Sequence, residues 1–213
     1  MQQKSSMRWV ILFILVFGTA MLNFSNLIFA SRPTDVMEQF NMTQTQLTAI
    51  STVGQLPGAF FSVWLGHMID KKGVRMLPGI LLALAAACQI WRCFAADYVS
   101  LFIITFLAGA FFLPTQILQG KLLGVWFSRE EMGTAMGIYG AGAGLGTTLA
   151  FAFGGLFPTI GIAFMVIAAG YVIEAALWFL FIKMPAGLAG GPVSEAPKGN
   201  LKNVFKSKNM WLL

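Results

Sequence analysis

The sequence predicts an all-α membrane protein built from six transmembrane helices, and three observations carry that expectation. First, 57% of the 213 residues are hydrophobic and only 10% are charged, whereas a soluble domain is about 45–50% apolar and about 25% charged. Second, the apolar residues fall into runs long enough to cross a bilayer core of about 30 Å. Third, lysine and arginine are sorted between alternate loops, which is how membrane proteins fix their orientation. The same composition excludes disordered, collagen-like and disulfide-framework proteins. A net charge of +6 would suit nucleic acid only if the basic residues shared one soluble face. They are scattered over loops instead, so no nucleic-acid partner is expected. Cys88 and Cys93, the only cysteines, sit within an apolar run at a spacing foreign to zinc or redox sites, and read as buried thiols.

Each span follows in order. Trp9 to Ala30 is uncharged, is too long for the core of a signal peptide, and lacks a small-residue cleavage site. The polar stretch 31–46 follows, with Arg32, Pro33, Asp35, Glu38 and Asn41. Leu47 to Leu65 is the second span, carrying Gly54, Pro57 and Gly58 near its middle. Met76 to Trp91 is the third and Ser100 to Gly120 the fourth, with Pro114 inside it. Pro57 and Pro114 are each expected to kink their helices. Met132 to Phe157 makes the fifth span and Gly161 to Ile182 the sixth. The domain plan is therefore an N-terminal segment 1–8, a six-helix bundle 9–182, a polar linker 183–209 and, at 210–213, the opening of a further span.

With the N-terminus inside, twelve basic residues fall on the inner side and only Arg32 and Arg92 on the outer side. That split places both ends in the cytoplasm and the bundle in the plasma (inner) membrane. Arg92 reads as an anchor at the outer interface. No cluster of His, Asp and Glu, no nucleophile turn and no metal spacing stands out, so neither an enzyme nor a cofactor is expected.

Between the second and third spans stands Gly66-His67-Met68-Ile69-Asp70-Lys71-Lys72-Gly73-Val74-Arg75. Gly66 suits close approach of the second span to a neighbouring backbone, and Gly73 suits a turn that a Cβ would oppose. Asp70 at the membrane edge is placed to accept hydrogen bonds, while Lys71, Lys72 and Arg75 hold the loop on the inner face. His67 is an edge residue; it reads as an incidental polar position, with pH sensing as the alternative. The segment resembles the signature loop of the major facilitator superfamily, G-x-x-x-D-[RK]-x-G-x-[RK]. The loop around Trp126-Phe127-Ser128 is similar to the family's turn between spans four and five. It departs from that pattern at Ser128 and at Met132, where an arginine is usual, and Arg129 is a substitute for it.

The resemblance implies two three-helix inverted repeats forming half of a twelve-helix carrier, with a second six-helix half as partner and a small solute as cargo. It implies that Gly66, Asp70, Lys71, Gly73 and Arg75 form a gating motif. It also makes spans one, two, four and five cavity-lining, so Asn23, Gln55 and Gln116 are candidates to touch solute, with helix–helix hydrogen bonding as the alternative. Asn26 and Gln119 lie nearer the span ends. Span six becomes peripheral, and Glu174 reads as a snorkelling or helix-paired carboxylate. Gly137, Gly140, Gly142, Gly144 and Gly146 give small-x-x-x-small spacings suited to close helix packing. Thr105 occupies the place of the arginine usual in drug–proton exchangers, which weakens that reading. The glycine-rich fifth span is more similar to oxalate/formate-type or nitrate/nitrite-type anion carriers, so a small anion is favoured. The alternatives are an exporter of drugs or metabolites from the same superfamily, or an inactive fragment of a carrier.

Overall fold

A computed structural model of the chain describes residues 6–182, with the backbone alone at 70–72. The linker expected at 183–209 and the further span expected at 210–213 lie outside the described residues. The described part is all helical: α1 (Met7–Ser31), α2 (Pro33–Gln39), α3 (Gln44–Val53), α4 (Leu56–Lys72), α5 (Met76–Arg92), α6 (Tyr98–Trp126), α7 (Met132–Phe153) and α8 (Ile160–Phe181). A 3-10 turn, Gly154–Leu156, extends α7. Helices α1, α6, α7 with its extension, and α8 are each long and apolar enough to cross a membrane. At 1.5 Å per residue the 25 residues of α1 span about 37 Å. Helix α5 is apolar but shorter, at 17 residues.

The segment expected to be one kinked second span is two helices, and Pro57 explains the break. A helical residue 57 would donate its N–H to the carbonyl of Val53; proline has no such donor and its ring crowds that carbonyl. Accordingly α3 ends at Val53, and α4 restarts with Pro57 in its first turn, where proline is tolerated. Pro114, by contrast, lies inside an uninterrupted α6.

The helices that start at one end of the bundle are capped by side chains. Thr43 and Gln46 form a reciprocal capping box at α3, Asp97 and Ser100 form another at α6, and Thr159 caps α8. Hydrogen bonds from the Ser100 side chain and backbone hold the Asp97 carboxyl below its ordinary value.

Packing relies on small residues, as expected where lipid is as apolar as leucine and close van der Waals fit decides association. Helix α1 runs parallel to α7: a Cβ on Gly142 would meet the Val16 carbonyl at 2.8 Å, and one on Gly146 would overlap the Ala20 carbonyl. Helix α6 runs parallel to α4, with Gly109 set against the Gly54 backbone and Gly58 facing Leu113. Helix α8 runs antiparallel to α1 and α5; Gly79 of α5 lies under the Phe179 ring, and Phe164 meets Phe29 edge-on at 6.0 Å. The outer faces carry exposed Phe13, Phe60, Val63, Trp64 and Leu145.

Candidate functional site

The signature loop lies at the end of the bundle where α4, α6 and α8 finish. Gly73 ends α4 with φ +87°, a conformation that costs a residue with a Cβ, and its N–H donates to the Ile69 carbonyl at 2.8 Å. Arg75 then reaches across to α8 and donates to the Phe179 carbonyl at 2.7 Å. A cation on the last turn of a helix satisfies a free carbonyl and complements the helix dipole. Gly66 does not make the close backbone approach expected of it: a Cβ there would find only an Ile117 methyl, 4.0 Å away. Asp70 and Lys71 occupy the last turn of α4 by their backbone, and His67 is exposed.

A second contact at the same end ties α1 to α7. Arg8 donates to both carboxylate oxygens of Glu131, at 3.0 and 2.9 Å, and Trp9 stands edge-on to Phe127 with centroids 5.6 Å apart. Glu131 also accepts from the Ser128 backbone and hydroxyl. These Ser128 bonds and the nearby Arg8 cation hold the Glu131 carboxyl below its ordinary value. The ion pair of this loop therefore comes from Arg8, where Arg129 was expected; Arg129 is exposed.

The polar amides are spread along the bundle. Asn23 is half-buried on α1 and donates to the Thr19 carbonyl at 2.9 Å. Gln55 is exposed in the break before α4, and Gln116 is exposed on α6. Gln119 is half-buried, and Asn26 lies beside Gly54. Of the five α7 glycines, Gly142 and Gly146 lie against α1, while Gly137, Gly140 and Gly144 face open space.

Two charged residues of the spans are fully enclosed. Arg92, expected as an interface anchor, is 1% exposed. It donates to the Ser25 hydroxyl at 2.7 Å, the Ser25 carbonyl at 3.2 Å and Gln89 Oε1 at 3.0 Å. Its guanidinium lies 4.3 Å from the ring centroids of both Phe29 and Phe164, so two π faces replace part of its lost hydration. Gln89 donates in turn to Ser25 at 3.1 Å, and the buried Tyr171 hydroxyl joins Ser25 and Gln89. Glu174, expected either to snorkel or to pair with another helix, is fully buried against Gly18 of α1; the missing Cβ at Gly18 makes the room that lets it stay inside. Ser25, Gln89 and Tyr171 were missed altogether. The available signal was the i, i+3 spacing of Gln89 with Arg92 and of Tyr171 with Glu174, which puts each pair on one helix face.

The family model of the Major Facilitator Superfamily matches residues 9–213. The chain belongs to the Major Facilitator Superfamily. Among curated relatives, the Probable nitrate/nitrite antiporter NarK1 of Thermus thermophilus is 26% identical over 117 residues, covering 54% of this chain and 26% of the relative. The Hexuronate transporter of Bacillus subtilis (strain 168) is 25% identical over 157 residues, covering 70% of this chain and 36% of the relative. The Probable L-galactonate transporter of Escherichia coli (strain K12) is 22% identical over 171 residues, covering 74% and 37% respectively. The chain thus matches between about a quarter and two fifths of the length of these relatives. A solved bacterial homolog of the human lysosomal transporter Spinster, inward-facing and unoccupied, superposes with a TM-score of 0.78 at 13% identity, covering 95% of this chain and 49% of that one. This superfamily member is a multi-pass membrane protein, and the likeness to the solved structure establishes its fold.

Proposed function

We propose that this chain supplies the first six-span half of a secondary transporter that moves a small solute by alternating access. The observation that carries the reading is the pairing of helices. Helix α1 lies parallel to α7, the α3–α4 pair lies parallel to α6, and α5 packs against α8. If α1, α3–α4 and α5 form one three-helix repeat and α6, α7 and α8 an inverted copy, a pseudo-two-fold axis converts each of the first two pairings into the other. The same axis maps the α5–α8 pairing onto itself. Inverted repeats of this kind place solute at mid-membrane between two halves. A second six-helix half, whether further sequence or another chain, completes the cavity.

On this reading α1, α3–α4, α6 and α7 line the cavity, and Asn23, Gln55 and Gln116 touch solute. Gly66, Asp70, Lys71, Gly73 and Arg75 gate the inner end. The basic excess at that end supports cytoplasmic termini and a plasma (inner) membrane location. A small anion is the favoured cargo: the three relatives are named for nitrate/nitrite, hexuronate and L-galactonate. Arg92 is enclosed by Ser25, Gln89 and two phenylalanine rings, so the cargo's countercharge comes from the second half. The test is exchange in proteoliposomes containing the intact carrier and a panel of labelled solutes. Saturable exchange of nitrate or a sugar acid is expected. Uptake restricted to neutral or cationic solutes would remove the anion reading, and no uptake of any solute would remove the transport reading.

A further inference from the structure

The bundle contains one carboxyl group that neither the packing nor the cavity accounts for. Glu174 is 0% exposed and stands about two helical turns from the end of α8. Among the described residues neither of its oxygens has a hydrogen-bond partner. Isolated burial of an ionised carboxylate is prohibitively costly, and such a group gives up its charge by taking a proton. The groups packed around it leave that conclusion intact. Helix α1 presents Gly18 and, nearby, Met21, neither titratable. Helix α7 presents Tyr139, whose hydroxyl is directed to Thr19 and makes no hydrogen bond to the carboxyl. Helix α8 itself presents Tyr171, one turn back. The only cation on α5 in this region is Arg92, whose donors are directed to Ser25 and Gln89. Among the described residues no ion pair holds Glu174 as a carboxylate.

We propose that Glu174 is a proton-binding site of the bundle: it keeps its proton while α1 and α8 are packed at Gly18, and exchanges it with water when they separate there. The proton leaves the carboxyl oxygen directly for water admitted between the helices at Gly18. The resulting carboxylate is neutralised again by a proton from water before the helices close. Each cycle binds and releases one proton, with no other bond made or broken. Coupling of that proton to solute movement rests on the transport reading above; occupancy of the site does not.

Infrared spectroscopy of the purified chain in lipid tests the site directly. A protonated-carboxyl stretch is expected at neutral pH, shifted by isotopic labelling of glutamate carboxyls and lost in Glu174→Gln. The labelled native chain keeps the test decisive if that variant fails to fold, because Glu38, Glu130 and Glu131 stand at helix ends or in loops and Glu195→Gln removes the remaining glutamate. A native spectrum with no label-sensitive protonated band would overturn the proposal. Gly18→Ala, which crowds the carboxyl out of its place against α1, should speed exchange of the band into deuterated water several-fold; unchanged exchange would overturn the role given to the α1–α8 contact. In proteoliposomes a pH gradient should drive several-fold accumulation by the native carrier and none by Glu174→Gln, with exchange at equal pH preserved. Equal accumulation by both would overturn the coupling. Absence of all transport by the native carrier would defeat the transport reading and leave the infrared result standing.

Discussion

The α1–α7 seam makes a quantitative prediction about glycine. At Gly142 an added methyl group would lie 2.8 Å from the Val16 carbonyl oxygen, whereas carbon–oxygen contacts of this kind settle near 3.3–3.6 Å. The helices must therefore part by about 0.5–0.8 Å locally, and further at Gly146, where the methyl would overlap the Ala20 carbonyl. A gap of about 0.5–1 Å forfeits roughly a quarter to a half of each affected dispersion contact, and overpacking of a fitted interior costs about 1–3 kcal/mol. Gly142→Ala should fall in that range, and Gly146→Ala at or beyond its upper end. Gly140 and Gly144 offer the internal control, since a Cβ on either meets nothing within 4 Å. There alanine relieves the entropic cost of glycine in a helix and should be neutral or stabilising by up to about 1 kcal/mol. Unfolding in mixed detergent, followed by tryptophan fluorescence on all four variants, gives the ranking. Gly146→Ala as stable as Gly144→Ala would refute the claim that backbone-close contact holds α1 to α7.

Other predictions concern the loops and the buried arginine. Asp70→Asn in the intact carrier should slow solute exchange while membrane insertion, read by protease protection, stays unchanged; unaltered exchange rates count against a gating role. The Glu131 carboxyl is held below its ordinary 4.5 in the folded chain, so the unfolded chain binds more protons and stability rises with pH in the acid range. That contribution is present above 4.5, is lost as pH falls through the lowered folded value, and should vanish from acid-unfolding curves of Glu131→Gln. Arg92→Met should lower stability by about 2–4 kcal/mol, because Ser25 and Gln89 lose a buried charged donor. Arg92→Lys should not restore it in thermal unfolding, since an ammonium cannot both fork to three acceptors and stack between two rings.

What the sequence made legible and what it hid differ in kind. Apolar runs and their punctuation are local properties, so α1, α6, α7 and α8 are readable from composition, and Gly73 from its place in a turn. Pro57 was noticed, yet its consequence depends on which carbonyl it deprives of a donor: α3 ends at Val53, with no bent continuation. The buried polar cluster was not legible because it is not local. Gln89 and Arg92 meet Ser25, 64 and 67 residues away, only once α5 lies against α1. Arg92 is followed within a few residues by Asp97, a loop-like neighbourhood that suggests exposure, and nothing in the order of residues reveals that Phe29 and Phe164 enclose it. The seat of Glu174 was hidden for the same reason. Its partner is the absence of a side chain at Gly18, a property of another helix.

These contacts differ in how readily they can be exchanged, and that difference bears on which helix moves. Arg8–Glu131 and Arg75–Phe179 lie at the bundle end, at least partly exposed, where ion pairs and hydrogen bonds are weak and screened by salt. The Arg92 cluster is enclosed, and breaking it strands charge in an apolar interior. Helix α1 is thereby fixed to α5 through Ser25, and to α7 by the Gly142 and Gly146 contacts. Among the described side chains, α4 meets α6 through the small-residue contacts of Gly54 with Gly109 and of Gly58 with Leu113. It is bounded by the Gly54–Gln55 break before Pro57 and by Gly73 at its far end, and it leaves Phe60, Val63 and Trp64 exposed. Large conformational changes concentrate where a few element-terminal residues absorb the dihedral change. A movement of α4 between its two glycine-bearing ends would leave the Arg92 cluster intact, and so would a parting of α1 and α8 confined to the Gly18 level, away from Ser25 and Arg92.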